Sequence, residues 1–142
     1  SLIQQPIVRK KILIAEDNEI NQKLLQRLLE KQGYECKVAN NGNEAVETYK
    51  NQVFDLIFMD IEMPEMNGLD ATRNIRVLEK ELHRDPVIII GLSAHAQMEK
   101  EKQANGAGMN DYVTKPVHAN ALYKLVEKWL LKQNNNVLEL KI

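Results

Sequence analysis

With 142 residues, 44% of them hydrophobic and 27% charged, the chain is long enough to enclose a core and too apolar to stay disordered. A formal charge of −1 argues against a protein that binds nucleic acid by neutralising phosphates. The single cysteine, Cys36, excludes an intramolecular disulfide, fits a reducing compartment and reads as a small buried hydrophobe. No apolar run approaches the roughly 20 residues of a membrane span, and Ser1 to Arg9 lacks the apolar centre of a signal peptide. A soluble, cytosolic domain is expected, with an opening Ser in place of Met as in an excised fragment.

Residues 1–9, which include Pro6, read as a linker. Lys11 to Ala15 is a short continuous apolar run of the kind that a strand buried on both faces requires, and it ends in Glu16-Asp17. Asn18 to Gln32 carries Ile20, Leu24, Leu25, Leu28 and Leu29 at amphipathic-helix spacing, with Asp17 or Asn18 to cap it and Gly33 to stop it. Tyr34 to Ala39 alternates as a strand. After the turn Asn40 to Asn43, a short helix is expected over Glu44 to Gln52.

Leu56 to Asp60 reads as a buried strand ending in a lone carboxylate, followed by a loop of turn formers from Ile61 to Gly68. A helix from Gly68 to Leu82 is broken at His83-Arg84-Asp85-Pro86. Val87 to Leu92 is the strongest buried-strand signal, and Ser93-Ala94-His95-Ala96 lies at its end. The helix expected over Gln97 to Asn105 is almost wholly polar, hence weakly anchored. A last strand, Asp111 to Thr114, ends at Lys115-Pro116, where a cis peptide bond is expected. His118 to Leu131 forms the final helix, and residues 132–142 read as a tail.

Five strands alternating with five helices make the class α/β, a doubly wound parallel sheet with helices on both faces. The order 2-1-3-4-5 is taken from the common sheets of this type rather than derived. It places the ends of the first and third strands together at a switch point, with Glu16, Asp17 and Asp60 in one crevice and Ser93 and Lys115 at its rim. An isolated Asp60 would read first as a turn cap. Three converging carboxylates change that reading, because they cannot all stay ionised cheaply without a cation. An all-oxygen set favours a hard ion, Mg²⁺ first. Lys115 offers an ammonium to a phosphoryl oxygen and Ser93 a hydroxyl, so the set describes phosphoryl transfer onto Asp60.

Four separated stretches carry a resemblance: Ile12-Leu-Ile-Ala-Glu16-Asp17-Asn18, Met59-Asp60-Ile-Glu-Met-Pro64-Glu-Met-Asn-Gly68, Leu92-Ser93-Ala-His-Ala96, and Asp111-Tyr112-Val-Thr-Lys115-Pro116. Together they resemble a response-regulator receiver domain of two-component phosphorelays, over about residues 10–131. The resemblance implies a flavodoxin-like sheet whose Asp60 takes a phosphoryl group from a phosphohistidine. The donor would be a histidine kinase or a histidine phosphotransfer protein. It further implies that Asp17 and Asp60 bind Mg²⁺ directly, with the Glu62 backbone carbonyl as a third ligand and Glu16 acting through water. Ser93 would shift toward the phosphoryl group and Tyr112 would swing inward behind it. The module would assist its own phosphorylation and dephosphorylation.

Glu16 to Gln22, with Ser93 to Ala96, resembles receivers attached to hybrid histidine kinases in particular. A stand-alone regulator, a phosphorelay intermediate or a non-phosphorylated docking module are the alternatives. Ser93 stands where the family more often has Thr, and Glu62 and His95 occupy variable positions where dephosphorylation is tuned. Ile20 and Pro116 are candidates for docking a partner's helical bundle. A haloacid-dehalogenase-like phosphatase would need Asp-x-Asp after an early strand, and a nucleotide-binding domain a glycine-rich or Walker loop; neither is present.

Overall fold

The computed structural model describes residues 9–95 and 98–140, with side chains to Leu131. The strands are β1 (Lys11–Ala15), β2 (Glu35–Ala39), β3 (Leu56–Asp60), β4 (Ile88–Ser93) and β5 (Asp111–Thr114). The helices are α1 (Glu19–Lys31), α2 (Gly42–Asn51), α3 (Gly68–Glu81), α4 (Met98–Ala107) and α5 (Ala119–Leu140). All strand pairs are parallel, in the expected order β2-β1-β3-β4-β5.

Alternation along the strands divides the core in two, because successive side chains point to opposite faces. On one face Leu13, Ile57, Met59 and Ile89 meet Ala45 and Tyr49 of α2, Ala71 and Ile75 of α3, and Ala104 of α4. On the other, Ile12, Ile14, Phe58 and Ile90 meet Leu25 and Leu29 of α1 and Leu122, Val126 and Leu130 of α5. Full burial of such a side chain is worth roughly 1.5–3 kcal/mol. The central strands therefore have no room for polar groups until their ends, and those ends open into the site.

The first three helices start on asparagine caps. Asn18, Asn41 and Asn67 accept from the amides of Asn21, Glu44 and Asp70 respectively. The cap at Asn41 starts α2 two residues before the expected Glu44. At the other end of α1, Gly33 has φ +94°, a left-handed stop. α4 buries only Ala104 and Ala107, so it is the least anchored helix, as its polar sequence implies.

The tail expected from Lys132 is instead helix to Leu140. The Asn134-Asn135-Asn136 run costs only some tenths of a kcal/mol per residue, too little to halt a helix already propagating. Residues 1–8 of the expected linker, residues 141–142 of the expected tail, and Ala96 with Gln97 ahead of α4 lie outside the described residues. The Lys115–Pro116 bond is cis, as expected. Among the described residues, no helix is long and apolar enough to cross a membrane.

Gly68 governs how closely α3 approaches the end of β3. A Cβ there would lie 2.1 Å from the Asp60 carbonyl oxygen, while the Gly68 amide donates to the Ile61 carbonyl at 2.8 Å. Gly68→Ala should therefore destabilise the domain by about 3 kcal/mol, the upper end of ordinary overpacking. Gly106 is helical with nothing within 4 Å of such a Cβ, so Gly106→Ala should stabilise by roughly 0.5–1 kcal/mol. Urea unfolding of the two variants beside the parent checks both signs.

Candidate functional site

Strand register brings the chemistry together. Ala15, the last residue of β1, lies opposite Met59 of β3, so Glu16 and Asp60 follow at neighbouring strand ends. Asp60 lies opposite Leu92 of β4, and Ser93 opposite Thr114 of β5. Lys115, one residue further, donates its amide to the Ser93 carbonyl at 2.7 Å. Its side chain then returns across the crevice.

Lys115 Nζ lies 2.9 Å from Asp60 Oδ2 and 3.0 Å from Glu16 Oε2. The first contact is a hydrogen bond. The second has the distance of an ion pair without hydrogen-bond geometry, which leaves Glu16 Oε2 a buried oxygen without a hydrogen-bond partner. Glu16 Oε1 accepts from the Asn18 amide at 3.2 Å, and Asp60 Oδ1 from the Glu62 amide at 3.2 Å. Glu16 and Asp60 are buried whereas Asp17 is exposed, and one carboxylate oxygen from each of the three lies within 4.8 Å of the others. Three converging carboxylate oxygens, with no sulfur or imidazole in the set, are a donor arrangement that fits a hard dication.

Burial pushes the Asp60 carboxyl up from its ordinary 3.8 to about 6, and the negative charge of Glu16 adds to the rise. The Lys115 hydrogen bond and charge oppose it without cancelling it. Burial alone would lower the Lys115 ammonium, but Asp60 and Glu16 together hold it above its ordinary value.

A family model described as response regulator receiver domain matches residues 12–127. The chain belongs to that family. Hybrid signal transduction histidine kinase I of Dictyostelium discoideum is 37% identical over 131 residues, which cover 89% of this receiver and 8% of that protein. This receiver thus spans a small fraction of such a relative. Among solved structures, the receiver domain of Saccharomyces cerevisiae Ssk1, co-crystallised with the histidine phosphotransfer signalling protein Ypd1, is 38% identical. The TM-score is 0.84, with 91% of this chain and 94% of that one covered. The receiver of sensor histidine kinase PA1611 from Pseudomonas aeruginosa, which carries a magnesium ion in its active-site cleft, is 34% identical. Its TM-score is 0.77, with coverage of 86% and 98%.

The remaining expected residues of this receiver stand around the cluster. Ser93 is fully buried and its Oγ accepts from the His95 amide at 3.1 Å. Tyr112 donates its hydroxyl to the His95 carbonyl. His95 Nε2 lies 3.3 Å from Glu62 Oε1, so these two side chains face each other across the mouth of the site. From sequence, His95 reads as a surface or loop residue, and nothing in local spacing pairs positions 62 and 95. Gln22 enters the sequence reading only as the end of the stretch that resembles hybrid-kinase receivers, with no contact assigned to it, although its side chain is buried against the acidic turn.

Because the folded pKa of Asp60 lies above its ordinary value, the fold holds this proton more tightly than the unfolded chain does. Its contribution to stability is fully present below about 3.8 and is lost as pH rises through about 6. Without divalent ions, Asp60→Asn should therefore raise the unfolding free energy by roughly 1–3 kcal/mol at pH 7.5. The gain should shrink toward zero at pH 4, as urea titrations at the two pH values in a chelator will read.

Proposed function

We propose that this receiver accepts a phosphoryl group on Asp60 from a partner's phosphohistidine and changes conformation in response. The observation that carries this reading is a buried carboxylate bound by Lys115 Nζ at 2.9 Å, at the meeting point of two further acids. In the transfer, a bond forms between an Asp60 carboxylate oxygen and phosphorus as the N–P bond of the phosphohistidine breaks. The departing imidazole nitrogen keeps the electron pair. Asp60 must be ionised to attack; burial opposes that form in the cluster alone, and a cation among the three acids would favour it. Lys115 neutralises charge on the phosphoryl oxygens while remaining an ammonium. Ser93, one register step beyond the Asp60–Leu92 pair, can donate its hydroxyl to one of those oxygens.

Asp17 and Asp60, with the Glu62 backbone carbonyl, are the residues that would hold Mg²⁺, and Glu16 would contribute through water. When bound, the ion supplies positive charge between the acids and the incoming phosphoryl oxygens. The convergence of one oxygen from each of the three acids supports this assignment. For the switch we assign Ser93 and Tyr112, both bonded to the backbone of His95. Rearrangement there bears directly on α4, which rests on two alanines.

The partner reading rests on α1. Leu24, at 50% exposure, lines a cavity of about 240 Å³ together with Leu25, Leu92, Pro116 and Val117, and Ile20, at 77%, stands bare one turn before it on the same helix. An apolar rim next to Lys115 suits the helices of a phosphotransfer domain, the kind of protein with which the Ssk1 receiver was co-crystallised. We place the receiver in a hybrid histidine kinase in the cytoplasm, on the strength of the Dictyostelium relative and of a thiol suited to a reducing compartment. The likeness to Ssk1, a downstream response regulator, supports a regulator's receiver as the second reading.

Incubation with Mg²⁺ and acetyl phosphate should give a hydroxylamine-sensitive phosphoryl adduct by intact mass. Asp60→Asn should abolish it, and Lys115→Met should slow its formation by about a hundredfold. An adduct that survives Asp60→Asn would place the acceptor elsewhere.

A further inference from the structure

Glu16 and Asp17 project from a turn that must hold two like charges beside a third. The backbone of that turn is fastened from both sides. The Glu16 amide donates to the Ala39 carbonyl at the end of β2, at 3.1 Å. The Glu16 carbonyl accepts from Gln22 Nε2 at 2.5 Å. Gln22 is 8% exposed, so this donor is sheltered from competing water. The same amide nitrogen donates to Asn40 Oδ1 at 2.8 Å. Asn40 Nδ2 in turn donates to both carboxylate oxygens of Glu44, at 3.1 and 3.3 Å, in the first turn of α2.

The carbonyl that Gln22 grips belongs to the peptide group joining Glu16 to Asp17. That group is planar, so fixing its oxygen together with the preceding amide fixes the plane from which both acidic side chains depart. Repulsion among the carboxylates acts to rotate this plane and separate them. The Gln22 amide, anchored through Asn40 to Glu44, resists that rotation.

We propose that Gln22 is a positioning residue for the Mg²⁺ site: its side-chain amide orients the Glu16–Asp17 peptide so that both carboxylates converge on Asp60, and Asn40 holds that amide in place. This rests on reading Glu16, Asp17 and Asp60 as the acids of the Mg²⁺ site. Groups that orient metal ligands without touching the metal typically contribute 10- to 100-fold in affinity. The two bonds that Gln22 Nε2 donates go to the Glu16 carbonyl and to Asn40, so its effect reaches the site through the backbone of Glu16.

The test is calorimetric titration with MgCl₂ alone, on chain that has not been phosphorylated. Gln22→Met keeps length and packing but removes both donated bonds; it should weaken Mg²⁺ binding by at least about tenfold. Gln22→Glu keeps the shape but turns a carboxylate toward two acceptor oxygens, and it should weaken binding further. Asn40→Ala removes only the outer anchor and should cost about threefold. Urea unfolding in a chelator separates a structural role: a lowered unfolding free energy with the Mg²⁺ dissociation constant of the folded protein unchanged would overturn the proposal. Should the Gln22 variants fail to fold, Asn40→Ala decides, and parental affinity there would overturn it. Asp17→Asn is the control. Parental Mg²⁺ affinity in Asp17→Asn defeats the metal-site reading itself, whereas lost affinity in Asp17→Asn with retained affinity in Gln22→Met defeats only the role of Gln22.

Discussion

One ammonium, Lys115, stands between two buried carboxylates and carries the electrostatic load of the whole site. Charges about 3 Å apart attract by roughly 5 kcal/mol at the effective dielectric that suits protein sites. Lys115 gains that attraction twice, which is why it stays protonated despite its burial. Asp60 is nevertheless left with a raised pKa, so the compensation is incomplete. Three acids and one cation leave the cluster short of two positive charges. That deficit gives the fold its sensitivity, because any cation or anion entering the crevice meets an unbalanced field in a partly desolvated place.

The fold tolerates this deficit because it confines it to one end of the sheet. β3 and β4 are buried along their whole length and turn polar only at Asp60 and Ser93, and the first three helices satisfy terminal amides with their own asparagines. At the opposite end the polar groups are closed on themselves. Glu79 is buried and accepts from Arg76, from the Tyr49 hydroxyl at 3.1 Å and from the Val87 amide at 2.6 Å. Arg76 also reaches the Gly108 carbonyl, at 3.0 and 2.7 Å. The turn between α4 and β5 is thus tied to α3, while among the described residues the first turn of α4, with Met98 exposed, shows no such tie. Rigidity at the base and loose packing near the site belong to the same helix.

How much of this is legible in the sequence follows from what a linear pattern encodes. Buried strands read clearly because five or six apolar residues in a row between turn formers fit little else, and the ends of those runs locate Glu16, Asp17, Asp60, Ser93 and Lys115. The order of the strands comes from resemblance, since periodicity does not say which strands are neighbours. Polar residues that face inward are not legible. Gln22 lies within an amphipathic helix, where an amide reads as solvent-facing, and Arg76 with Glu79 reads as an ordinary surface pair three residues apart. Their partners, Asn40, Gly108 and Val87, come from distant segments. The continuation of α5 past Lys132 escapes the pattern for a different reason: asparagine is a poor helix former, but its penalty is small against the cooperativity of a helix already formed.

The two turns that border Asp60 are built on opposite terms. The Glu16–Asp17 turn is fixed through its backbone by β2 and by Gln22. Among the described residues, the contacts of the turn after Ser93 meet at His95, whose amide bonds Ser93, whose carbonyl accepts from Tyr112 and whose ring faces Glu62. Ser93 therefore cannot move toward Asp60 without either carrying the His95 backbone with it or releasing it. In the first case the acceptor of the Tyr112 hydroxyl and the contact with Glu62 move with it. Under the proposed switch, a displacement at this buried hydroxyl would reach the edge strand and the mouth of the site through His95. Among the described residues one border is tied through its backbone and the other through His95, a contrast that suits the proposed reading of a local event at Asp60 elsewhere on the surface.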